Sequence, residues 1–207
     1  MTKPGNAQPR PYHHGDLSRA LVDAARRILE RDGPDALSLR AVAREAGVSP
    51  AAPYHHFKDK NELFGAVAKQ GWAALRDALA EAECASVQDA AIKTGLAYVR
   101  FATQNPALYR LMYDMARLRA DLEDPDEEDS GFALVEKAIR DAGGEIIDPT
   151  DLQLSIIAAW CASHGLAEMS SFKRFDALKS EMGGEENFLK GVLQHIGALT
   201  NLTPKPA

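Results

Sequence analysis

Residues 37–60 read L-S-L-R-A-V-A-R-E-A-G-V-S-P-A-A-P-Y-H-H-F-K-D-K, and this stretch decides the fold. Apolar residues recur at helical spacing in its first half, which predicts one buried helix face: Leu39, Val42, Ala43 and Ala46. Ser38 is placed to cap this helix, because its hydroxyl can accept from an unpaired backbone N–H of the first turn. Gly47 is placed to end the helix, since glycine tolerates the positive φ found there. Ser49 and Pro50 then predict the start of a second helix.

Two short helices joined by a glycine-containing turn form a helix-turn-helix, whose second helix enters the major groove of DNA. Here that second segment opens with the small residues Ala51 and Ala52 and places Pro53 about one turn in. Side chains that can donate to phosphates follow: Tyr54, His55, His56 and Lys60. The spacing alone leaves two interpretations open, a DNA-binding motif and a small helical hairpin inside an all-α core.

Three segments within residues 12–70 resemble the DNA-binding domain of the tetracycline-repressor (TetR) family of transcriptional regulators. They are S-L-R-A-V-A at 38–43, A-G-V-S at 46–49 and Y-H-H-F-K-D-K-N-E-L at 54–63. The resemblance implies an all-α protein. Its N-terminal head would be three helices with the helix-turn-helix, and a larger helical bundle would bind a ligand and form the dimer.

The same resemblance implies roles for individual residues. Arg40 would contact a phosphate or a base edge, and Ser38 lies beside it at the start of the same helix. The groove-facing set would be Ser49, Ala51, Ala52 and Pro53. The phosphate-binding set would be Tyr54, His55 and Lys60. The Ala-Ala-Pro run offers no bidentate side chain, so specificity would depend on Arg40, thymine methyls or DNA shape.

Charge is distributed unevenly along the 207 residues, whose formal net charge is −6. Residues 1–70 carry 11 Lys and Arg against 8 Asp and Glu, whereas residues 71–207 carry 13 against 22. This contrast favours a DNA-binding domain attached to an acidic one. We expect a flexible N-terminal arm at 1–11, the DNA-binding domain at 12–60 and the ligand-binding and dimerisation domain at 61–207. The arm could reach the DNA backbone or minor groove, or simply be a solvated leader.

Several protein classes are disfavoured. The two cysteines imply no disulfide framework, and no apolar run is long enough to cross a membrane, so we expect a cytoplasmic protein. No pattern indicates a metal site, a cofactor or a catalytic centre, so we expect no enzyme. The acidic run at 121–130 is typical of a solvated loop rather than a metal site.

The second part of the chain predicts further helices at about 60–82, 87–105, 106–120, 132–142, 148–172 and 185–202. Bulky residues on these helices are candidates for a ligand pocket, although each also suits a packed core: Tyr98, Phe101, Leu108, Met112, Tyr113, Trp160 and His164. Trp160, His164 and Gly165 resemble the W…HG signature of one TetR subgroup. His164 has three interpretations: a core histidine bonded to a backbone carbonyl, a pocket or interface residue, or a partner of Cys161 in a catalytic or metal pair.

The resemblance therefore implies a ligand-responsive homodimeric regulator, expected to be a repressor. Its partners would be a palindromic operator in double-stranded DNA, a second copy bound through the last two long helices, and a hydrophobic small-molecule effector. Two alternatives stay open. One is a helical small-molecule-binding protein or enzyme with an incidental helix-turn-helix. The other is a structural DNA binder without a ligand.

Overall fold

The computed structural model describes residues 14–81, 87–118, 136–137 and 148–200, and these residues form helices and short connections without a strand. The α-helices are α1 (His14–Asp32), α2 (Leu39–Glu45), α3 (Lys60–Ala80), α4 (Val87–Gln104), α5 (Pro106–Leu118), α6 (Pro149–Ser170), α7 (Asp176–Glu181) and α8 (Glu185–Thr200). Short 3-10 segments span Pro34–Ala36, Ala52–His55 and Lys173–Phe175. The all-α prediction is confirmed.

The chain divides into two compact units between Ala68 and Lys69. This division lies inside α3. The domain boundary expected from the sequence, between residues 60 and 61, lies at the start of that helix. We call the residues up to Ala68 the N-terminal unit and those from Lys69 onward the C-terminal unit.

The N-terminal unit is built around the apolar face of α1, which packs against α2. The fully or nearly buried residues of the unit are Leu21, Ala24, Ala25, Ile28, Leu29, Leu37, Leu39, Val42, Ala43, Pro53, Phe57, Leu63, Val67 and Ala68. The predicted buried face of α2 is therefore confirmed at Leu39, Val42 and Ala43. Ala46 is the exception, since it is only half-buried.

Both predicted ends of α2 are confirmed. Ala41 N donates to Ser38 Oγ at 3.1 Å, which satisfies one free donor of the first turn. At the other end Gly47 has φ of +69°, and Val48 N donates to the carbonyl of Ala43 at 2.9 Å. This bond closes a Schellman turn, so the chain leaves α2 in a fixed direction toward the next element.

The second helix expected from Ser49 and Pro50 is wrong as an α-helix. Residues 49–51 form a turn, and a 3-10 segment follows at Ala52–His55. Pro53 explains the change, because it has no N–H to donate to a helix begun at Ser49. Its carbonyl instead accepts from both His56 N and Phe57 N, at 3.0 and 2.9 Å.

The C-terminal unit is organised around α4, which packs against α5, α6 and α8. Gly95 permits the approach of α8, because a Cβ there would lie 2.8 Å from Leu193 Cδ2. Gly71 of α3 permits the approach of α5, since a Cβ added there would lie 2.6 Å from Met112 Sδ. α6 begins at a proline in the first turn and is capped by Asp148, which accepts from Thr150 N and Asp151 N.

Some sequence predictions were incomplete or fall outside the described residues. The short helix α7 and the 3-10 segment before it were missed, because residues 173–184 lack a long apolar repeat. The acidic run at 121–130, the N-terminal arm and most of the helix predicted at 132–142 lie outside the described residues. Among the described residues, no helix has the length and apolar character needed to cross a bilayer.

Candidate functional site

Most residues predicted to contact DNA are exposed in the N-terminal unit. Ser38, Arg40, Ser49 and Ala51 are exposed, as are Tyr54, His55 and Lys60 in the segment that follows. Ala52 is half-buried. Beneath this surface Val42, Ala43 and Phe57 are buried, so one face of the motif forms core while the other presents polar and small side chains.

Pro53 is a correction to the predicted groove-facing set. Its side chain is among the fully buried ones of the N-terminal unit, because the 3-10 segment directs the ring inward. A buried ring has no surface to offer a base edge. Tyr54, the next residue, is instead 55% exposed and is the largest exposed side chain of this segment.

Two pairs of arginines in the N-terminal unit differ in their partners. Arg27 and Arg31 both bond the carboxylate of Glu45, at 3.3 and 3.2 Å, and so link α1 to the end of α2. Hydrogen bonds from Arg31 and then Arg27 lower the pKa of Glu45. Arg40 and Arg44 are exposed and form no ion pair with any described residue. These two are therefore available for an anion such as a phosphate.

Lys60 lies at the first turn of α3, and its exposed side chain bonds a backbone carbonyl. Nζ donates to the carbonyl of Pro34 at 3.2 Å and lies 4.9 Å from the ring centroid of Phe64. The start of α3 is fixed by Asp59, whose Oδ1 accepts from Glu62 N at 2.9 Å, while Glu62 accepts in return from Lys58 N at 2.7 Å. Lys60 thus projects from a rigid helix N-terminus.

A second cluster of functional interest lies in the C-terminal unit. Six rings from four helices pack together, and we call them the aromatic cluster: Trp72, Tyr98, Tyr109, Tyr113, Trp160 and His164. Trp72 stacks on Trp160 with centroids 6.1 Å apart and meets Tyr113 edge-on at 5.3 Å. Tyr98 meets Trp160 edge-on, also at 5.3 Å.

Hydrogen bonds join the polar ends of this cluster. Tyr98 Oη bonds Tyr109 Oη at 2.9 Å and also bonds Tyr113 Oη, while Tyr109 Oη bonds His164 Nδ1 at 2.5 Å. Burial is the main cause that raises the pKa of Tyr98 and of Tyr109 far above the ordinary tyrosine value. The two phenols therefore remain protonated donors at neutral pH.

One polar atom of the aromatic cluster has no partner among the described residues. Trp72 Nε1 is buried and makes no hydrogen bond. Buried donors are normally satisfied, so an orphan indole N–H is unusual in a folded protein. A bound acceptor would satisfy it.

Two family models match the chain. The one described as bacterial regulatory proteins, tetR family, matches residues 21–67, which include the helix-turn-helix. The one described as tetracyclin repressor-like, C-terminal domain, matches residues 91–188. The chain belongs to the TetR family.

Individual relatives agree with this assignment. The TetR-family chain is 34% identical over 104 residues to the HTH-type transcriptional regulator BetI of Rhizobium meliloti (strain 1021), a match covering 48% of this chain and 51% of that protein. It is 30% identical over 96 residues to YobS of Bacillus subtilis (strain 168), an uncharacterized HTH-type transcriptional regulator. This match covers 46% of this chain and 50% of that protein. The chain therefore spans about half the length of the curated relatives it matches.

Solved structures share the fold over nearly the whole length. A protein of unknown function from Rhodococcus sp. RHA1 is 29% identical with a TM-score of 0.71, and the match covers 90% of this TetR-family chain and 95% of that one. A TetR family transcription regulator from Marinobacter aquaeolei VT8 is 17% identical with a TM-score of 0.61, and the match covers 87% of this chain and 94% of that one. The second likeness concerns the fold alone.

The structure brings together four of the seven residues predicted for a pocket in this TetR-family chain: Tyr98, Tyr113, Trp160 and His164. Leu108 and Met112 are buried against Gly71 instead. Phe101 is buried, and no described ring contact joins it to the cluster.

Two members of the aromatic cluster were missed as site residues, Trp72 and Tyr109. Tyr109 lies four residues before Tyr113, a spacing that places both on one helix face, so a usable signal was present. The partner of His164 also differs from the first interpretation, since Nδ1 bonds the hydroxyl of Tyr109 rather than a backbone carbonyl. Cys161 is exposed, and no group of three His, Cys, Asp or Glu side chains in the part of the chain that the structure describes is placed to hold a metal. The W…HG subgroup stays a prediction.

Proposed function

We propose that this protein is a homodimeric transcriptional regulator that binds a palindromic operator and is released from it by an apolar small molecule. The observation that carries the proposal is the helix-turn-helix itself. Its α2 is capped and ends in a Schellman turn, and Arg40, Tyr54 and His55 are exposed in and after this motif.

In this proposal the exposed residues of the motif contact different parts of the DNA. Arg40, Tyr54, His55 and Lys60 bind phosphates, which supply affinity without sequence information. Ser38 and the groove-facing Ser49, Ala51 and Ala52 complete the contact surface. Pro53 is buried beneath the segment and makes no contact with DNA in this proposal.

A footprint on fragments from the neighbourhood of the protein's own gene tests DNA binding. We expect protection of a two-fold symmetric site with half-sites about 34–36 Å apart or a multiple of that. An Arg40→Ala variant should lose protection, while Lys173→Ala, which changes an exposed cation of the C-terminal unit, should keep it. Absence of any symmetric protected site would refute the proposal.

The dimer is proposed through the last two long helices, and α6 provides the support. Large apolar side chains lie exposed along one stripe of α6 and just beyond its end: Leu154, Ile157, Met169 and Phe172. Gly165 lies on the same stripe, with open space where a Cβ would project. Such an apolar stripe is typical of an interaction surface, and two-fold dimers are the commonest oligomers. The described exposed positions of α8 are polar, including Lys190, Gln194 and His195.

Sedimentation measures the oligomeric state. Ile157→Glu should produce a monomer with weakened operator binding, because it places a charge within the α6 stripe. Leu178→Glu changes an exposed leucine of α7 and serves as the matched control, which should remain dimeric. A dimer that survives Ile157→Glu would exclude the α6 interface.

The effector is proposed to bind at the aromatic cluster. Each ligand-responsive change in operator affinity requires a ligand that binds one state of the protein more tightly, typically by about 1–3 kcal/mol. We place the protein in the cytoplasm, where both operator and effector would be found. Repression rather than activation is part of the same proposal.

A further inference from the structure

We propose that the effector is a flat apolar molecule without a negative charge that carries a carbonyl-type oxygen, and that this oxygen accepts a hydrogen bond from Trp72 Nε1. The inference rests on the proposed ligand-binding role of the aromatic cluster and names the chemistry of its ligand.

The shape preference follows from the rings. Trp72, Tyr113, Trp160 and His164 are each half-buried, so their edges and faces are partly accessible within the C-terminal unit. Ring contacts at 4.5–6.1 Å between centroids show that the cluster already packs in stacked and edge-on pairs. A flat ligand continues this packing, because aromatic pairs favour offset-stacked and edge-to-face arrangements.

The acceptor follows from a count of hydrogens. Tyr98, Tyr109 and Tyr113 have one hydroxyl hydrogen each, and three hydrogen bonds join them to one another and to His164 Nδ1. When Nδ1 accepts, these bonds use all three hydrogens. The indole N–H of Trp72 is buried and makes no hydrogen bond with any described residue. Because this donor is both buried and unbonded, an incoming acceptor oxygen gains most at Trp72.

The absence of negative charge on the ligand follows from its surroundings. Burial raises the pKa of Tyr109, and the nearby carboxylate of Glu168 contributes in the same direction. Both effects oppose a further negative charge at this place. Burying an anion without a paired cation is costly, whereas a carbonyl oxygen needs only one donor.

Three probes of nearly equal shape separate these requirements: acetophenone, α-methylstyrene and benzoate. The first offers a neutral carbonyl, the second replaces it by a methylene group, and the third adds a negative charge. Binding to the full-length protein is measured by calorimetry. We expect acetophenone to bind about five- to tenfold more tightly than α-methylstyrene, which is the effect of one neutral hydrogen bond, and benzoate to bind weakest.

The two tryptophans of the chain allow the contact to be located, since both lie in the aromatic cluster. Their indole N–H signals are assigned in a ¹⁵N–¹H spectrum with the variants Trp72→Phe and Trp160→Phe. Acetophenone should shift the Trp72 signal downfield. Trp72→Phe should abolish the preference for acetophenone over α-methylstyrene, and Trp160→Phe, which removes the other indole, should retain it.

The proposal is overturned if acetophenone and α-methylstyrene bind equally, if benzoate binds best, if none of the three binds, or if Trp72→Phe keeps the preference. Operator binding by the same samples separates this failure from failure of the proposed function. A protein that binds its operator but ignores the carbonyl refutes only the effector class. A protein that binds acetophenone at Trp72 but no operator refutes only the regulator.

Discussion

Tyr98→Phe removes the hydroxyl at the centre of the hydrogen-bonded phenols while keeping the ring. Tyr98 is only 2% exposed, and its hydroxyl bonds both Tyr109 and Tyr113. Each lost bond costs about 1 kcal/mol net, so we expect a loss of about 2 kcal/mol in the free energy of unfolding. No cavity term is added, since phenylalanine fills the same ring volume.

Two other tyrosines provide the comparison. Tyr113→Phe removes a hydroxyl that bonds Tyr98 but belongs to a half-buried side chain, so water can replace part of the interaction and we expect about 1 kcal/mol. Tyr54→Phe changes an exposed residue of the N-terminal unit and should leave the stability of the C-terminal unit unchanged.

Urea unfolding followed by tryptophan fluorescence is the suitable assay, because both indoles report on the C-terminal unit alone.

The same reasoning gives a pH dependence of the stability. The pKa of Tyr98 and of Tyr109 is raised in the folded state, so the unfolded chain loses these protons first. The contribution of these two phenols to the free energy of unfolding should be fully present below about pH 10, the ordinary tyrosine value. It should fall as the pH rises above that value. Equal losses for Tyr98→Phe and Tyr113→Phe, or no alkaline decline, would refute the reasoning.

Three further predictions concern single positions. Gly95→Ala should lower the thermal midpoint because its Cβ meets a buried leucine of α8, whereas Gly191→Ala, which meets only the movable end of an exposed methionine, should be neutral or stabilising by up to about 1 kcal/mol. Ser38→Ala should cost about 1 kcal/mol in the N-terminal unit, measured by circular dichroism, and an unchanged midpoint would contradict its capping role. Lys60→Ala should weaken binding to all DNA sequences and reduce the log–log salt slope by about one, with Lys173→Ala unaffected; a loss confined to one operator position would argue against a phosphate contact.

Local signals in the sequence were sufficient for most of the N-terminal unit. Ser38 and Gly47 act within a few residues of themselves, so their roles as cap and terminator could be read from the sequence and are confirmed. The segment after Ser49 shows the limit of such signals. Ser49 and Pro50 are a good helix start by themselves, but Pro53 removes the next donor and the segment forms a 3-10 turn.

The aromatic cluster depends on contacts that sequence periodicity does not contain. A helical repeat indicates which residues face inward, but it does not indicate which inward face meets which. The contact between Trp72 of α3 and Trp160 of α6 joins residues 88 positions apart. The bond between Tyr109 and His164 spans 55 positions. Such pairs follow from the packing of several helices and could not be predicted one helix at a time.

The passage of the chain from one unit to the other inside α3 has a consequence for how relatives of this protein can vary in length. A loop absorbs an inserted residue locally, but a helix advances each following residue by about 1.5 Å and turns it by about 100°. An insertion or deletion between Ala68 and Lys69 would therefore change the register of everything after it. We expect homologues to conserve the spacing between Lys60 and Trp72 while differing freely in length at the turns between the other helices.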